Sequence, residues 1–417
     1  MARFQTLRGM RDILPGEVER WQRLEAAARD TAEAYGFREI RTPLIEPTEL
    51  FSRSVGDATD LVRREMYTFK MGDESLTLRP EMTAPVVRAW IEAGLDRVPG
   101  SDRLYYIGPM FRHERPQKGR QRQFHQLGVE VFGREEPAVD AETIEMCVGL
   151  VTRLGLAEIG LLLNSVGDAV CRPEYRKTLR TWLVERTDRL CEDCRRRADE
   201  NPMRVFDCKV PGCREILTAA PVITDHLCEG CRTHFAGVVE ALDAYGVPYR
   251  LDPRLVRGLD YYVRTAFEVV SGSLGAQNAV AGGGRYDGLV GALGGKDQPG
   301  FGWAMGLERV VLLLDADTMP APTGPDVLVA PVGDAAQVPA ALAARALRKA
   351  GRRTLLESSA RSFTAHLRRA DKLGAARVLL IGEAEAASGV YLLRDMRTGE
   401  QTPLAKDEIA RAAGAWS

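Results

Sequence analysis

Two apolar, strand-like runs joined by a cationic loop constrain this chain more than any other feature: residues 110–133 read MFRHERPQKGRQRQFHQLGVEVFG. Five of these residues are Arg or Lys and two are Glu, on a chain of formal net charge −1. Arg112, Glu114, Arg115, Lys118, Arg120 and Arg122 are too dense for a buried loop, because each unpaired charge would carry a heavy desolvation cost. LYYIGPMFRHE and RQFHQLGVEVFG therefore predict a long antiparallel hairpin with cations at its tip. Strand period 2 puts Gln126 and Glu130 on one face, with His125 a further polar residue beside them. Arg112, following IGPMF, is expected on the strand and directed at the concave face of a sheet. Arg, Gln and Glu together on one face suit a polar, zwitterionic ligand.

At 417 residues the chain is long enough for two or three domains, and 45% hydrophobic with 28% charged residues is an ordinary soluble composition. The charge balance gives no global attraction to polyanions, so nucleic-acid contact must come from local patches. No stretch approaches a transmembrane span. Charge interrupts the basic start MARFQTLRGMRDILPGE before an apolar signal core can form, so a cytoplasmic location is expected.

Residues 17–35 have helix formers with apolar positions at helical spacing, and Gly36 supplies a stop. FREIRTPLIEP reads as a strand that Pro43 and Pro47 place at an edge or bulge. MYTFKMGDESLTLRP reads as a hairpin turning at Gly72-Asp73, after which Pro80 opens the helix PEMTAPVVRAWIEAG. A helix, AVDAETIEMCVGLVTRLGL, and a strand, IGLLLNSVG, follow. Residues 170–250 are mostly helical and cysteine-bearing, as an inserted module would be. Strand character then returns up to about residue 320. TMPAPTGP, residues 318–325, reads as a linker, and residues 326–417 alternate strand and helix as a small α/β domain.

All eight cysteines lie between residues 147 and 231. In a cytosolic protein the pairs CEDC and CEGC favour metal ligation over disulfides. Their spacing is compatible with one structural tetrahedral zinc on Cys191, Cys194, Cys228 and Cys231, joined by Cys208 or Cys213, or with unligated thiols. Cys147 and Cys171 stand alone.

Three further motifs carry chemistry. In RGLDYY, taken as strand, Arg257 offers a guanidinium fork to carboxylate or phosphate, beside Tyr261 and Tyr262. The glycines of AGGGRYDGLVGALGG let a planar ligand approach backbone; no Gly-Lys-Ser/Thr ending follows, and no helix where phosphates would dock, which excludes a P-loop. In GFGWAMGLERVVLLL, Arg309 in the first turn of a helix can reach over the sheet to a triphosphate or pair with a neighbouring acid.

In this order the pieces resemble the three signature motifs of a class II aminoacyl-tRNA synthetase, carried by GFREIRTPLIEP, the FRHE hairpin and GLERVVLLL. RGMRDILP, LRPEMTAPVVR, RGLDYY and AGGGRYDGL further resemble the histidyl-tRNA synthetase family, over essentially the whole chain. The resemblance implies an α+β fold: an antiparallel six-stranded sheet flanked by helices, a helical insertion and a C-terminal α/β anticodon-binding domain. It implies a homodimer formed partly through the first motif, with ATP, Mg²⁺, L-histidine and tRNA(His) as ligands. The implied reaction is attack of the histidine carboxylate on the α-phosphate of ATP, then transfer of the histidyl group to the terminal ribose of the tRNA. It predicts no metal in the insertion.

The same resemblance assigns roles. Glu81, Met82, Thr83, Gln126, Glu130, Arg257, Tyr261 and Tyr262 are implied to bind histidine, with Glu81, Thr83 and Gln126 on the α-amino group. Glu130 and Tyr262 would read the imidazole nitrogens. The 282–285 glycine-arginine stretch would line the pocket. Arg112, Arg257 and Arg309 are the implied catalytic arginines, and Arg112, Glu114, Arg120 and Arg309 the ATP contacts. Arg115 and Gln117 would read the acceptor end of the tRNA. Arg345, Arg348, Lys349, Arg352, Arg353, Arg361, Arg368, Arg369 and Lys372 would present a cationic surface to the anticodon. The intact arginine trio and the C-terminal domain separate the chain from a related, catalytically inactive regulator of ATP phosphoribosyltransferase.

Overall fold

A computed structural model of the chain describes residues 4–56, 59, 61–117, 119–274, 278–314, 324–358, 362–414 and 416. They fall into two compact units, Met1–Thr318 and Met319–Ser417. Lys118, Arg361 and most of the TMPAPTGP stretch lie outside the described residues.

The first unit carries β1 (Arg38–Glu39), β2 (Ile45–Pro47), β3 (Tyr67–Met71), β4 (Glu74–Leu78), β5 (Arg103–Phe111), β6 (Gln123–Phe132), β7 (Ile159–Ser165), β8 (Arg250–Leu251), β9 (Val263–Ser271), β10 (Ala279–Arg285) and β11 (Gly300–Gly306). Its main sheet runs β1-β5-β6-β11-β10-β9-β7-β8. The six strands from β5 to β7 are antiparallel, and the two-residue β1 and β8 add parallel edges to the six expected. The cationic hairpin is β5 and β6.

FREIRTPLIEP is not one strand. Its start pairs with β5, and its end pairs with β4 in a separate sheet of order β2-β4-β3. Between them Pro43 cannot donate to a ladder. The buried Arg79 guanidinium closes the gap, donating to the carbonyls of Thr42 at 2.8 Å, Pro43 at 3.2 Å and Pro109 at 3.0 Å. The hairpin β3–β4 turns at Gly72-Asp73 as expected, with Gly72 at φ +60°. The next helix begins at Thr83, not Pro80.

Strand alternation gives the main sheet two unlike faces. One carries Tyr105, Val129, Trp303, Phe267 and Leu163, all buried beneath the helices Val18–Ala34, Pro137–Arg153 and Glu229–Ala244. Val18–Ala34 packs there through Trp21, Leu24, Ala28 and Ala32, the apolar stripe that its spacing predicts. The other face is read from the pairings Tyr106↔Gly128, Glu130↔Gly302 and Gly282↔Glu268: it is polar and poor in side-chain bulk. The helices Arg172–Val184, Glu192–Glu200 and Pro211–Leu217 share a core with residues on that side, Tyr106 and Met82 among them.

The second unit is an open sheet of β12 (Val327–Pro331), β13 (Thr354–Leu356), β14 (Arg377–Ile381), β15 (Val390–Asp395) and β16 (Gln401–Ala405), in the order β13-β12-β14-β15-β16. The first three are parallel and the last two antiparallel to their neighbours, with separate apolar clusters over the sheet. Its cations are not equivalent. Arg352 donates to the Ala413 carbonyl, Arg353 pairs with Asp326 at 2.6 Å and Arg369 with Glu357 at 2.5 Å, so these three brace the fold. Arg345, Lys349, Arg368 and Lys372 are exposed along the helices Gln337–Lys349 and Phe363–Lys372, and Arg348, also exposed, donates to the Thr354 carbonyl at 3.0 Å.

Candidate active site

The polar face of the main sheet floors a cavity of about 510 Å³, and Arg112, Arg257 and Arg309 all line it. Three chain segments far apart in sequence deliver them. Arg112 follows the last residue of β5, and its N–H still pairs with the Arg122 carbonyl at 2.8 Å, so the ladder outlasts the strand by one residue. Its Nε donates to the Pro80 carbonyl at 2.8 Å, and its guanidinium lies 5.2 Å from the Phe124 ring centre. Arg309 stands in the first turn of the helix Leu307–Leu313 and donates to the carbonyls of Ala279 and Gly119. Burial pulls the Arg309 pKa down, with Arg120 adding repulsion.

Arg257 lies in a turn before β9, not in a strand. Its Nη1 donates to Glu268 at 2.7 Å, while its Nε is buried without a hydrogen-bond partner among the described residues. The guanidinium occupies the space above Gly282: a methyl group there would stand 2.8 Å from its central carbon. The glycine run therefore makes room for an arginine of the protein's own rather than for a ligand's ring alone. A four-residue helix, Leu289–Ala292, does follow it.

Beneath the floor sits Glu130, fully buried. Thr83 donates a hydroxyl to it at 2.8 Å, Tyr106 at 3.4 Å, and Tyr286 donates to its other oxygen. Burial pushes its carboxyl pKa up to about 8 against the pull of those hydroxyls. Gly302 leaves the space its carboxyl fills, since a methyl there would stand 2.9 Å from the carboxyl carbon. Glu81 takes N–H bonds from Thr83 at 2.8 Å and Ala84 at 3.0 Å, capping the helix from outside its first turn. Burial also raises the Glu81 pKa, and these backbone donors oppose the rise. Gln126 Oε1 is buried and unpartnered among the described residues.

Glu81, Thr83, Gln126, Tyr261, Tyr262, Glu114 and Arg120 line the cavity. Met82 is buried in the apolar core instead, and Glu130 reaches the cavity only through Thr83 and Tyr106. His125 points the other way, its backbone N–H and ring held by Glu308. Arg285 is likewise on the far face, buried between Asp140 and Asp287, so the 282–285 stretch lines the cavity only at Gly282. Arg115 and Gln117 are exposed on the hairpin loop, outside the cavity lining. Arg120 pairs with Glu114 at 2.7 Å.

A family model for histidyl-tRNA synthetase matches residues 9–310, and one for an anticodon binding domain matches residues 326–414. The chain belongs to the histidyl-tRNA synthetase family. It is 51% identical over 409 residues to a histidine–tRNA ligase of Solibacter usitatus, covering 98% of each chain. Another, from Desulforudis audaxviator, is 51% identical over 405 residues and 96% of each chain. The apo histidyl-tRNA synthetase of S. aureus superposes with a TM-score of 0.83 at 35% identity, over 99% of this chain and 100% of that one.

Against that family frame, reading the sequence missed one wall of the site. Arg197, Arg204, Asp207 and Lys209 of the helical module also line the cavity, and Arg204 donates to the Arg257 carbonyl at 3.2 Å. The polar density of NPMRVFDCKV was the available signal. The cysteines are also regrouped relative to the single site expected. Cys191 and Cys194 meet Cys208 and Cys213, whereas Cys228 and Cys231 meet Asp168 and Cys171, so Cys171 does not stand alone. Among the described residues no helix is long and apolar enough to cross a membrane.

Proposed function

We propose that this cavity is where the chain, as a histidine–tRNA ligase, carries out ATP-dependent attachment of L-histidine to tRNA(His) through histidyl-adenylate. The observation that supports placing the reaction here is the convergence of Arg112, Arg257 and Arg309 on one cavity. Three cations around one small space suit a triphosphate meeting a carboxylate, where charge gathers in the in-line transition state.

In this reading Arg257 contacts the histidine carboxylate and the α-phosphate, Arg112 the α-phosphate and Arg309 the γ-phosphate, with Glu114 and Arg120 beside the nucleotide. Histidine oxygen displaces pyrophosphate at the α-phosphorus, and the arginines hold the growing negative charge without moving a proton. Glu81, Thr83 and Gln126 receive the α-amino group; the unpartnered Gln126 oxygen is free to accept from it. Tyr262 faces one side of the imidazole. Glu130 acts from beneath by orienting the Tyr106 hydroxyl that the ring meets, and it also accepts from the Thr83 hydroxyl. Mg²⁺ would be held by phosphate oxygens together with the cavity carboxylates Glu114 and Glu268, an oxygen donor set that suits it, and would screen the phosphate charge.

Exposed Arg115 and Gln117 read the 5′ end of tRNA(His), and the C-terminal unit holds the anticodon. A cytoplasmic homodimer formed through the first unit completes the proposal. Histidine-dependent ATP–pyrophosphate exchange tests it: Arg257→Ala abolishes exchange, and retention of full exchange refutes the site. Gln117→Ala slows only the transfer to tRNA.

A further inference from the structure

Seven of the eight cysteines gather with Asp168 into two closed groups. The ligand atoms of Cys191, Cys194, Cys208 and Cys213 lie within 4.8 Å of one another, and so do those of Asp168, Cys171, Cys228 and Cys231. Within the groups Cys191 Sγ is 3.8 Å from Cys208 Sγ, and Cys171 Sγ is 3.8 Å from Cys231 Sγ. A tetrahedral zinc with Zn–S of ~2.3 Å spaces its sulfurs ~3.8 Å apart. A disulfide would bring them to ~2.05 Å.

We propose that the helical module carries two structural zinc ions, one on Cys191, Cys194, Cys208 and Cys213 and one on Asp168, Cys171, Cys228 and Cys231. The surroundings of the ligands support metal rather than idle thiols. Backbone N–H groups point at the sulfurs: Cys191 N–H to Cys213 Sγ at 3.2 Å, Val210 N–H to Cys208 Sγ at 3.4 Å and Asp168 N–H to Cys171 Sγ at 3.2 Å. Asp168 Oδ1 is fixed by the Val170 N–H at 2.9 Å. Such donors hold thiolates and carboxylates in ligating orientation. Cys191 and Cys228 each sit just before a helix, Glu192–Glu200 and Glu229–Ala244, whose positive end favours thiolate. Each thiol gives its proton to solvent as the ion binds. With four protein ligands apiece neither ion keeps an open position, so both are structural.

The two ions differ in what they brace. Cys208 sits between Asp207 and Lys209 of the cavity lining, so the first ion clamps the wall that bears them. Asp168 and Cys171 come from the loop after β7, so the second ion ties the module to the main sheet. Next to Cys171, Arg172 donates to the Val166 carbonyl at 2.8 Å and to the carbonyl of Tyr262, a residue of the cavity. None of this depends on which substrates the cavity takes.

Elemental analysis of the full-length protein, purified without chelator, tests the proposal, with two zinc ions per chain expected. Cys208→Ser and Cys228→Ser should each lose one ion, a different one in each case, and the double variant both. Titrating the unaltered protein with a mercurial reagent, which needs no variant to fold, should release two ions. Finding a single zinc per chain, lost in Cys228→Ser, would point to a shared CEDC–CEGC site and overturn the two-site assignment. So would a protein that holds no zinc, whether its thiols are free or paired as disulfides.

Discussion

Two arginines on opposite faces of one sheet, the half-buried Arg257 against Gly282 and the fully buried Arg285 three residues further along β10, differ in how completely their charge is answered, and the proposed function gives chemistry to the first and structure to the second. Arg285 is fully buried, and its charge is answered on all sides by Asp140, by Asp287 at 3.0 Å and by the Arg134 carbonyl at 2.9 Å, with His234 on Asp140 at 2.9 Å. Arg257 has one carboxylate, Glu268, and a buried Nε with no partner among the described residues. A buried charge that is fully compensated holds a fold together. One left short of partners beside a cavity is poised for a ligand that brings the missing acceptor.

The largest effect should therefore separate the two by what is lost. Arg285→Ala leaves Asp140 buried without its main counterion and should cost about 3–5 kcal/mol of stability, read as a fall in the denaturant midpoint. Arg257→Lys keeps the charge but loses the fork. It should cost about 10²–10³-fold in histidine-dependent pyrophosphate exchange with little change in that midpoint. If Arg257→Lys proved the more destabilising, or Arg285→Ala inactive while folded, the division of labour would be wrong.

A smaller effect sharpens the same contrast on neighbouring glycines. The atoms nearest a methyl on Gly282 are those of the Arg257 guanidinium, whereas one on Gly283 meets the backbone of Trp303 at 2.5 Å. A guanidinium can swing aside and a strand cannot. Gly282→Ala should thus reduce exchange by about tenfold, roughly 1.4 kcal/mol, in a protein of near-normal stability. Gly283→Ala should chiefly destabilise, with exchange per folded molecule retained. Thermal melts alongside exchange rates decide this.

How much of this was legible follows from how far each signal reaches along the chain. The hairpin, the alternation placing Gln126 and Glu130 together, and Arg309 in its helix are local patterns, and they hold. The 282–285 stretch cannot line one cavity throughout, because strand alternation sends Arg285 to the face opposite Gly282. RGLDYY reads as strand from its sequence, yet Arg257 lies in a loop that bends back over Gly282. The cysteines show the limit most clearly. CEDC and CEGC look like halves of one site, but their partners are set by tertiary folding, which brings Asp168 and Cys171 from the end of a strand to one pair. No spacing rule carries that information. Arg204, Asp207 and Lys209 escaped notice for the same reason.

An effect of similar size, read from pH dependence rather than rate, concerns Glu130, whose carboxyl burial biases toward the neutral form. Its pKa, raised by burial to about 8, exceeds the unfolded value near 4.5, so the folded state holds a proton that the unfolded state has released across that window. Stability from this group is complete at low pH and falls as pH rises, by about 1.4 kcal/mol per unit, until the folded state also ionises. Glu130→Gln removes the titration while keeping a group that the surrounding hydroxyls can bond. Subtracting the variant's stability from the parent's cancels the other titrating groups. That difference should drop by about 1.4 kcal/mol from pH 6 to pH 7 in denaturant unfolding. A flat difference would mean that Glu130 is already ionised at neutral pH, its charge carried by Thr83, Tyr106 and Tyr286. The polar face would then hold a fixed anion beneath the cavity rather than a neutral acid.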